Sequence, residues 1–304
     1  MDRSLFLAQV DLLLRILPYV MRDQRFALKG GSALNLFVRD LPRLSVDIDL
    51  TYLPIEDRET TLANISQILT TISQTIARAM PQVVIQPLRA SDGRWRKLAV
   101  RLGNAMVKVE PNETIRGSVF PCELRDLSPQ VESEFGLFMS VQTLSLADLY
   151  GGKICAALDR QHPRDLFDVQ MLLANEGLTP EIRKAFLVYL ISHNRPMAEV
   201  LQPNRLPLAA TFAGEFAGMS RLLVTCEELV AVRERLIELL HQELSMDERL
   251  FLLSVKNCQP DWQRLGLTAI DQLPAVRWKL QNLARMPKQK HLRAIEKLTA
   301  VLDL

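Results

Sequence analysis

The sequence predicts an α+β protein, with a mixed sheet in its N-terminal half and helices alone in its C-terminal half. Two observations lead to this prediction. Short β-type runs alternate with helical patterns up to residue 144, and beyond that point helical patterns follow one another without a strand. We therefore expect an α/β domain over residues 1–145 and a helical domain over residues 146–304. A length of 304 residues agrees with two domains.

The spacing of apolar residues places each element in turn. Helices are predicted over 5–22 and over Arg58–Met80, the second closed by Pro81. Three prolines and two glycines predict an irregular connection over Pro196–Met219. The predicted strands are Phe26–Leu28, Leu44–Tyr52, Val83–Leu88, Lys97–Leu102, Ala105–Glu110 and Phe138–Val141. The predicted C-terminal helices cover 146–159, 164–175, 180–192, 223–244, 247–256, 274–284 and 288–302.

Composition excludes several classes of protein. With 48% hydrophobic and 24% charged residues, the chain is neither collagen-like, nor a disulfide-rich miniprotein, nor mostly disordered. The net charge of +2 points to no partner. The four cysteines are far apart and form no C-x-x-C pair, which is typical of reduced cysteines in an intracellular protein. We expect a cytoplasmic protein, because the chain shows neither a secretion leader nor a membrane span.

The clearest polar pattern lies in the predicted strand Leu44–Tyr52. Its apolar residues point to one side, while Asp47 and Asp49 stand together on the other. Burying unpaired carboxylates costs on the order of a few kcal/mol per ion. Mg²⁺ removes that penalty, and it favours sites with one or two carboxylates plus substrate phosphates. These aspartates are therefore candidate metal ligands; an exposed edge strand that carries Asp-x-Asp is the alternative.

A glycine pair and a serine lie between the first predicted strand and a helical pattern over Ala33–Val38. Gly30 and Gly31 let backbone amides approach a ligand closely, and the N-terminus of a helix favours anions. Ser32 adds a hydroxyl at the same position. The spacing is not that of a P-loop. It predicts an anion-binding turn, with an ordinary turn as the alternative.

A third carboxylate, Glu110, lies at the end of the half-polar run Ala105–Glu110. If this strand lies beside the strand that carries Asp47 and Asp49, Glu110 joins the same cluster. The alternative is an ion pair between Glu110 and Lys108 on an open sheet face.

A second polar group opens the helical half. Lys153 and Arg160 are seven residues apart, so they share one face of a helix. Asp165 and Asp168 follow on the next predicted helix. These residues are candidates for binding a charged ligand, and ordinary helix ion pairs are the alternative. His162 lies in the turn between the two helices, where a structural role is expected.

Together these features resemble the AbiEii/AbiGii toxin family, with the related MenT toxins, of the DNA polymerase β-like nucleotidyltransferase superfamily. The resemblance spans residues 29–168, a little under half of the chain, and beyond about residue 195 only a helical C-terminal domain is shared. The matching segments are Lys29-Gly-Gly-Ser32, Arg43-x-Ser45-x-Asp47-x-Asp49, Lys108-x-Glu110, and Lys153 through Arg164-Asp165-x-x-Asp168.

The resemblance implies a polymerase β-like N-terminal domain that transfers a nucleotidyl group from an NTP with the help of Mg²⁺, the helical domain completing the active site. Asp47 and Asp49 would bind the metal, and Glu110 would be the base for the incoming hydroxyl. One of Asp165 and Asp168 belongs to the active site, and the sequence does not decide which. The implied catalytic residues are Asp47, Asp49, Glu110, Lys153, Asp165 and Asp168. The implied nucleotide-binding residues are Lys29, Gly30, Gly31, Ser32, Ser45, Lys153 and Arg160.

The acceptor that the resemblance implies is RNA, particularly the 3′ end of tRNA, and a cognate antitoxin is expected as a partner. Residues 274–304 carry seven basic residues against two acidic ones, which suits contacts to phosphate. Further basic residues of the N-terminal half are Arg89, Arg94, Arg96, Lys97 and Arg101. Two alternatives stay open: nucleotidylation or phosphorylation of a protein by the same site, and a non-catalytic protein that binds nucleotide or RNA.

Overall fold

The computed structural model describes residues 3–304. The chain divides into two compact units. The sheet unit comprises Met1–Ser145 and Ala217–Leu223, and the helical unit comprises Leu146–Phe216 and Val224–Leu304. Over residues 3–304, the chain has no helix that is both long and apolar enough to cross a membrane.

Seven strands between residues 3 and 304 form one mixed sheet in the sheet unit. They are β1 (Phe26–Lys29), β2 (Asp47–Tyr52), β3 (Val84–Arg89), β4 (Trp95–Leu102), β5 (Ala105–Asn112), β6 (Glu123–Asp126) and β7 (Ser140–Thr143). Their order across the sheet is β3-β4-β5-β2-β1-β7-β6. β2 runs parallel to β5 and β1 runs parallel to β7, whereas the other neighbours are antiparallel.

The sheet unit also contains helices. They are α1 (Arg3–Val20), α2 (Gly30–Ala33), which continues as one π-helical stretch over Leu34–Val38, α3 (Arg58–Ala79) and α4 (Pro129–Phe135). α1 packs on β5 and on α3, and its residues Val10, Leu13 and Leu17 are completely buried. The capping carboxylate of Asp57 accepts from the backbone N–H of Thr60 at 3.0 Å, which fixes the start of α3.

β2 is an internal strand of the sheet, with β5 on one side and β1 on the other. Its apolar residues Ile48 and Leu50 are fully buried. The alternative in which Asp-x-Asp lies on an exposed edge strand is therefore wrong. Both neighbours constrain the register of β2, so the positions of its two aspartates are fixed from either side.

Residues 217–223 pair with the chain just before β2. Ser220 forms an antiparallel bridge with Arg43. The N–H of Leu44 donates to Met219 O at 2.9 Å, and the N–H of Arg221 donates to Pro42 O at 2.8 Å. This pairing explains why β2 begins at Asp47, three residues later than the predicted start at Leu44: the preceding residues bond to this distant segment instead of to the sheet.

The helical unit contains no strand among its described residues, as predicted. Its longer helices are α5 (Leu146–Asp159), α6 (Pro163–Ala174), α7 (Pro180–Ser192), α10 (Cys226–Glu243), α11 (Met246–Lys256), α12 (Pro274–Ala284) and α13 (Lys288–Val301). The connection predicted to be irregular over Pro196–Met219 instead holds α8 (Met197–Leu201), α9 (Ala209–Thr211) and a π-helical stretch over Phe212–Phe216. Segments of three to five residues are too short to show helical periodicity.

The sheet unit also contains two elements that the sequence did not predict. β6 is an edge strand whose residues Glu123, Leu124 and Asp126 are exposed, so it lacks the apolar alternation of a half-buried strand. α4 follows it and ends at Gly136, which adopts a left-handed conformation with φ +63°. The predicted strand Phe138–Val141 begins later, at Ser140, because β7 pairs with β6 only from that residue onwards.

Candidate active site

Asp47 and Asp49 lie on the same face of β2, where both side chains are partly exposed. The intervening Ile48 is fully buried on the other face, as the alternation predicts. Within residues 3–304, the carboxylate of Asp49 accepts no hydrogen bond and forms no salt bridge. The two carboxylates therefore share one side of a rigid strand, and that of Asp49 is available to a cation.

Polar residues of the neighbouring strands extend this face of the sheet. Lys29 of β1 and Glu110 of β5 are the direct partners of Asp49 on its two sides. Lys108 of β5 is the partner of Asp47. The predicted neighbourhood of Glu110 and the two aspartates is therefore present in the sheet.

Glu110 forms an ion pair in this arrangement. Its Oε1 lies 3.0 Å from Nζ of Lys97 on β4, so the partner is Lys97 and not Lys108 as in the alternative above. No group of three acidic, histidine or cysteine side chains among residues 3–304 is arranged to hold a metal ion. The assignment of Asp47 and Asp49 as metal ligands stays a prediction; two carboxylates suffice for Mg²⁺ when substrate phosphates supply further ligands.

The glycine turn touches the acidic strand directly. Gly30 has φ +71°, a conformation that favours glycine, and a Cβ at this position would collide with Oδ2 of Asp49. A Cβ on Gly31 would lie 2.7 Å from Nη2 of Arg43 and 2.7 Å from Oγ of Ser45. Both positions need glycine, because carboxylate, guanidinium and hydroxyl groups occupy the space of a side chain.

The two serines of the predicted nucleotide site connect this turn to β2. Ser32 is 1% exposed and Ser45 is 8% exposed. The hydroxyl of Ser32 donates to the backbone carbonyl of Asp47, and the Oγ atoms of the two serines are 3.1 Å apart. In this conformation Ser32 holds the turn against the strand, and its predicted contact with triphosphate oxygens stays a prediction.

Arg43 is a buried residue of this site that the sequence reasoning treated only as a motif position. It is 2% exposed, and Nη1 donates to Leu44 O at 2.9 Å. Its guanidinium lies against the Gly31 backbone, as the position of a Cβ on Gly31 shows. A buried guanidinium beside the turn adds a fixed positive charge next to the predicted anion-binding amides. The available signal was the arginine that opens the alternating polar face.

Within the helical unit, Lys153 lies between two aspartates. Its Nζ is 2.8 Å from Oδ1 of Asp165 and 2.9 Å from Oδ2 of Asp168. Arg160 contacts Asp165 as well, with Nη2 donating to Oδ1 at 2.9 Å. Lys153 and the two aspartates are more than nine-tenths buried, whereas the side chain of Arg160 is 60% exposed.

Both aspartates therefore belong to one buried ionic cluster with Lys153. Burial by itself raises the pKa of Asp165, but the positive charges of Lys153 and Arg160 outweigh it and hold that pKa well below its usual range. Asp165 is consequently ionised at neutral pH. The exposed guanidinium of Arg160 is the member of the cluster that solvent reaches most easily.

The helices that carry this cluster are fixed by close packing and by a cap. A Cβ on Gly151 of α5 would lie 2.7 Å from the backbone nitrogen of Phe186, so α5 and α7 approach each other at van der Waals distance. His162 caps α6, because its Nδ1 accepts from the N–H of Arg164 at 3.1 Å. His162 therefore has the structural role that was expected of it.

The site thus combines a glycine turn with an internal Asp-x-Asp strand of a mixed sheet, in a chain that continues into a helical unit. The structure is similar to that of MenT4, a nucleotidyltransferase toxin from Mycobacterium tuberculosis H37Rv, with a TM-score of 0.60 and 19% sequence identity. The superposition covers 98% of this chain and 92% of that one. A comparison with curated proteins finds no match.

A family model for the nucleotidyl transferase AbiEii toxins of type IV toxin-antitoxin systems matches residues 11–282. The chain belongs to this family. The resemblance drawn from the sequence, the α+β fold and the class of enzyme are thereby confirmed.

Proposed function

We propose that this protein transfers a nucleotidyl group from an NTP to RNA, at the 3′ end of tRNA, and that the reaction depends on Mg²⁺. The proposal rests on the position of Asp49: this residue belongs to the internal strand β2, and its carboxylate lies against Gly30 of the glycine turn. A pair of carboxylates on a fixed strand beside a glycine turn suits a metal-bound triphosphate.

The residues of the sheet unit fit a divalent cation. Asp47 and Asp49 would hold it, and the space beside Asp49 stays open only because residue 30 has no side chain. When bound, the metal neutralises charge on the phosphates and on the attacking and leaving oxygens of an in-line displacement. The donor set consists of carboxylates alone, which agrees with a hard cation such as Mg²⁺.

The turn and its neighbours bind and orient the triphosphate in this proposal. Backbone amides at Gly31 and Ser32, at the start of α2, would bind the anion, and the buried guanidinium of Arg43 beside Gly31 would add positive charge. Catalysis of phosphoryl transfer depends mainly on such positioning and charge stabilisation. In the transfer itself, the RNA hydroxyl oxygen bonds to the α-phosphorus while the bond to pyrophosphate breaks.

Glu110 is the proposed acceptor of the proton that the RNA hydroxyl loses. As the direct neighbour of Asp49 it lies on the correct face of the sheet. Its ion pair with Lys97 competes for the oxygen atoms that a base would use. Glu110→Gln tests this role separately from metal binding, because it removes the base and leaves both aspartates.

The decisive experiment offers each NTP in turn to the purified chain, labelled at the α-phosphate or at the γ-phosphate, with total RNA and total protein as acceptors; transfer of a nucleotidyl group carries only the α label, and phosphorylation carries only the γ label. We expect label on RNA with Mg²⁺ and none with EDTA, and sequencing of tRNA 3′ ends then locates the added nucleotide. Asp49→Asn should reduce the transfer about 100-fold or more, since one preorganised charge is removed. Asp126→Asn, which removes a carboxylate from edge strand β6, is the matched control.

Other patterns of label contradict the proposal. Label on protein instead of RNA would favour the protein-modifying alternative. Absence of label on either acceptor, from a folded protein that still binds NTP, would favour the non-catalytic alternative. Equal loss of transfer in Asp49→Asn and Asp126→Asn would remove the argument from the position of Asp49.

A further inference from the structure

The register of the sheet places three basic residues on the same face as the candidate acids. Lys108 of β5 is the direct partner of Asp47 on β2. On its other side, Lys108 is the partner of Ala99 on β4. Two further basic residues of β4 lie two positions before and two positions after Ala99, so they point to this face as well. The β4–β5 cationic surface, as it is called below, consists of Lys97, Arg101 and Lys108.

Two members of this surface have no anionic partner. Lys108 is exposed, and its ammonium forms no ion pair or hydrogen bond with any residue between 3 and 304. Arg101 is also exposed, and within the same range its guanidinium donates only to the sulfur of Met106, at 3.6 Å. Lys97 differs from both, because it is paired with Glu110. Two exposed cations close to the acidic strand are therefore available to an anionic ligand.

Other basic residues of the same region are engaged elsewhere. Arg96 of β4 lies on the opposite face of the sheet, because it alternates with the fully buried Leu98 on that side. There it forms an ion pair with Glu113. Arg94, just before β4, forms an ion pair with Glu59 at the start of α3. The register therefore separates basic residues that are alike in the sequence.

The geometry of an in-line displacement indicates which ligand these cations meet. The glycine turn follows β1 and contacts Asp49 from the β1 side of β2, whereas β5 and β4 lie on the other side. The attacking and leaving oxygens of the reaction are roughly in line across the phosphorus. A triphosphate bound at the turn therefore leaves the β5 side to the attacking hydroxyl, and Glu110, the proposed base, belongs to β5.

We propose that the β4–β5 cationic surface binds backbone phosphates of the RNA acceptor and brings its terminal hydroxyl to the two aspartates from the β5 side. This inference rests on the proposed function for the identity of the acceptor, and on the sheet register for the position of the cations. Contacts from lysine and arginine to phosphate position a nucleic acid without reading its sequence. The triphosphate of the NTP has the same chemistry, so the test measures the two ligands separately.

The test measures binding of tRNA labelled with fluorescein at its 5′ end to the full chain, by anisotropy without NTP and over a range of salt concentrations. Lys108→Gln and Arg101→Gln each remove one exposed charge, and Lys108→Arg keeps the charge. Arg96→Gln is the matched control, since Arg96 is an exposed arginine of the same strand but lies on the opposite face and is paired with Glu113. Calorimetry measures the affinity of each variant for NTP with Mg²⁺, and thermal melting establishes that each variant is folded.

We expect Lys108→Gln and Arg101→Gln each to weaken tRNA binding about fivefold. The slope of log K against log salt should become shallower by about 0.7 in each, which corresponds to one lost phosphate contact on a single strand. Lys108→Arg should bind tRNA like the wild type. The affinity of all variants for NTP, and that of Arg96→Gln for tRNA, should change by about twofold or less.

Three results would overturn the inference. Arg96→Gln could weaken tRNA binding as much as the two surface variants, which would make the effect one of overall charge. Neither surface variant could change the affinity for tRNA or its salt dependence. The surface variants could lose affinity for NTP and keep their affinity for tRNA, which would assign the surface to the triphosphate.

Nucleotidyl transfer is measured in parallel, so that the two proposals can fail separately. If the wild type labels RNA and the surface variants bind tRNA normally, only the assignment of the β4–β5 cationic surface is wrong. If the wild type labels no RNA but the surface variants lose tRNA affinity with the expected change of slope, the surface stands and the proposed reaction is wrong.

Discussion

Replacement of Lys153 by methionine tests whether the buried ionic cluster stabilises the helical unit. Methionine keeps the volume of the lysine stem but removes an ammonium that lies 2.8 Å and 2.9 Å from two buried carboxylates. Removal of one partner from a buried ion pair typically costs about 3 to 5 kcal/mol, because the remaining charge stays without compensation. We expect a loss of this size in the free energy of unfolding at pH 7.

The pH dependence of this loss has a definite sign. Lys153 and Arg160 lower the pKa of Asp165, so the wild-type cluster contributes stability above the ordinary aspartate pKa and loses it as the pH falls. Without Lys153 the carboxylates bind protons more readily, and protonation relieves their repulsion. The difference in the free energy of unfolding between wild type and Lys153→Met should therefore become smaller from pH 7 towards pH 4.

Urea unfolding followed by circular dichroism, at several pH values, measures these differences. A second variant, Lys153→Met with Asp168→Asn, removes one of the stranded charges and should recover at least about 1 kcal/mol. Lys297→Met, on the surface of α13, is the control and should cost less than about 1 kcal/mol. The reasoning would be refuted if the free energy of unfolding of Lys153→Met lay within about 1 kcal/mol of the wild-type value at pH 7 and the difference between the two proteins did not change with pH.

This prediction also affects how activity data are read. Loss of activity in a Lys153 variant does not by itself assign a phosphate contact, because the same change removes the counter-ion of Asp165 and Asp168. Asp49→Asn does not have this ambiguity, since its carboxylate accepts no hydrogen bond within residues 3–304.

Three further outcomes are expected. Gly30→Ala should lower the free energy of unfolding by about 1 to 3 kcal/mol and reduce activity, because φ is +71° and the new Cβ would collide with the carboxylate of Asp49. Unchanged unfolding in urea would contradict this expectation. Gly151→Ala should lower the midpoint of thermal unfolding sharply, because the new Cβ would lie 2.7 Å from the backbone of α7. Gly152→Ala, whose Cβ would lie 3.4 Å from its nearest neighbour, should leave the midpoint unchanged or raise it. Equal midpoints of the two variants would exclude this packing of α5 on α7. Burial lowers the pKa of Lys279 to about 8, so between pH 8 and 10.5 the unfolded chain binds the proton more tightly than the folded one, and the free energy of unfolding should rise by about 3 kcal/mol. Lys279→Met should abolish that rise. A rise of the same size in the variant would assign it to other groups.

The sequence determined the candidate acids and their side of the strand. Alternation along β2 has a period of two, so Asp47 and Asp49 necessarily share a face once the strand forms. Helical periodicity in the second half likewise predicted the long helices, because buried faces repeat every three to four residues. The motif order identified the family, which the match over residues 11–282 confirms.

Only the tertiary structure decided which strands lie beside β2. The parallel pairing of β2 with β5 places Glu110 next to Asp49 over a separation of 61 residues, and no local pattern encodes such a pairing. The same holds for the pairing of Arg43 with Ser220, and for the ion pair that Glu110 forms with Lys97. Side-chain periodicity is a property of one segment, whereas contacts between distant segments depend on how their buried faces pack.

The difference is clearest for the charged residues. The sequence shows Lys153, Asp165 and Asp168 as charges at helical spacing, for which exposed ion pairs are the ordinary expectation. In the structure all three are more than nine-tenths buried, so each charge depends on the others for compensation. The packing of α5 and α6 against the rest of the helical unit decides which side chains are buried. For that reason only the tertiary structure shows that these charges form a buried ionic cluster and not an ion pair on the surface.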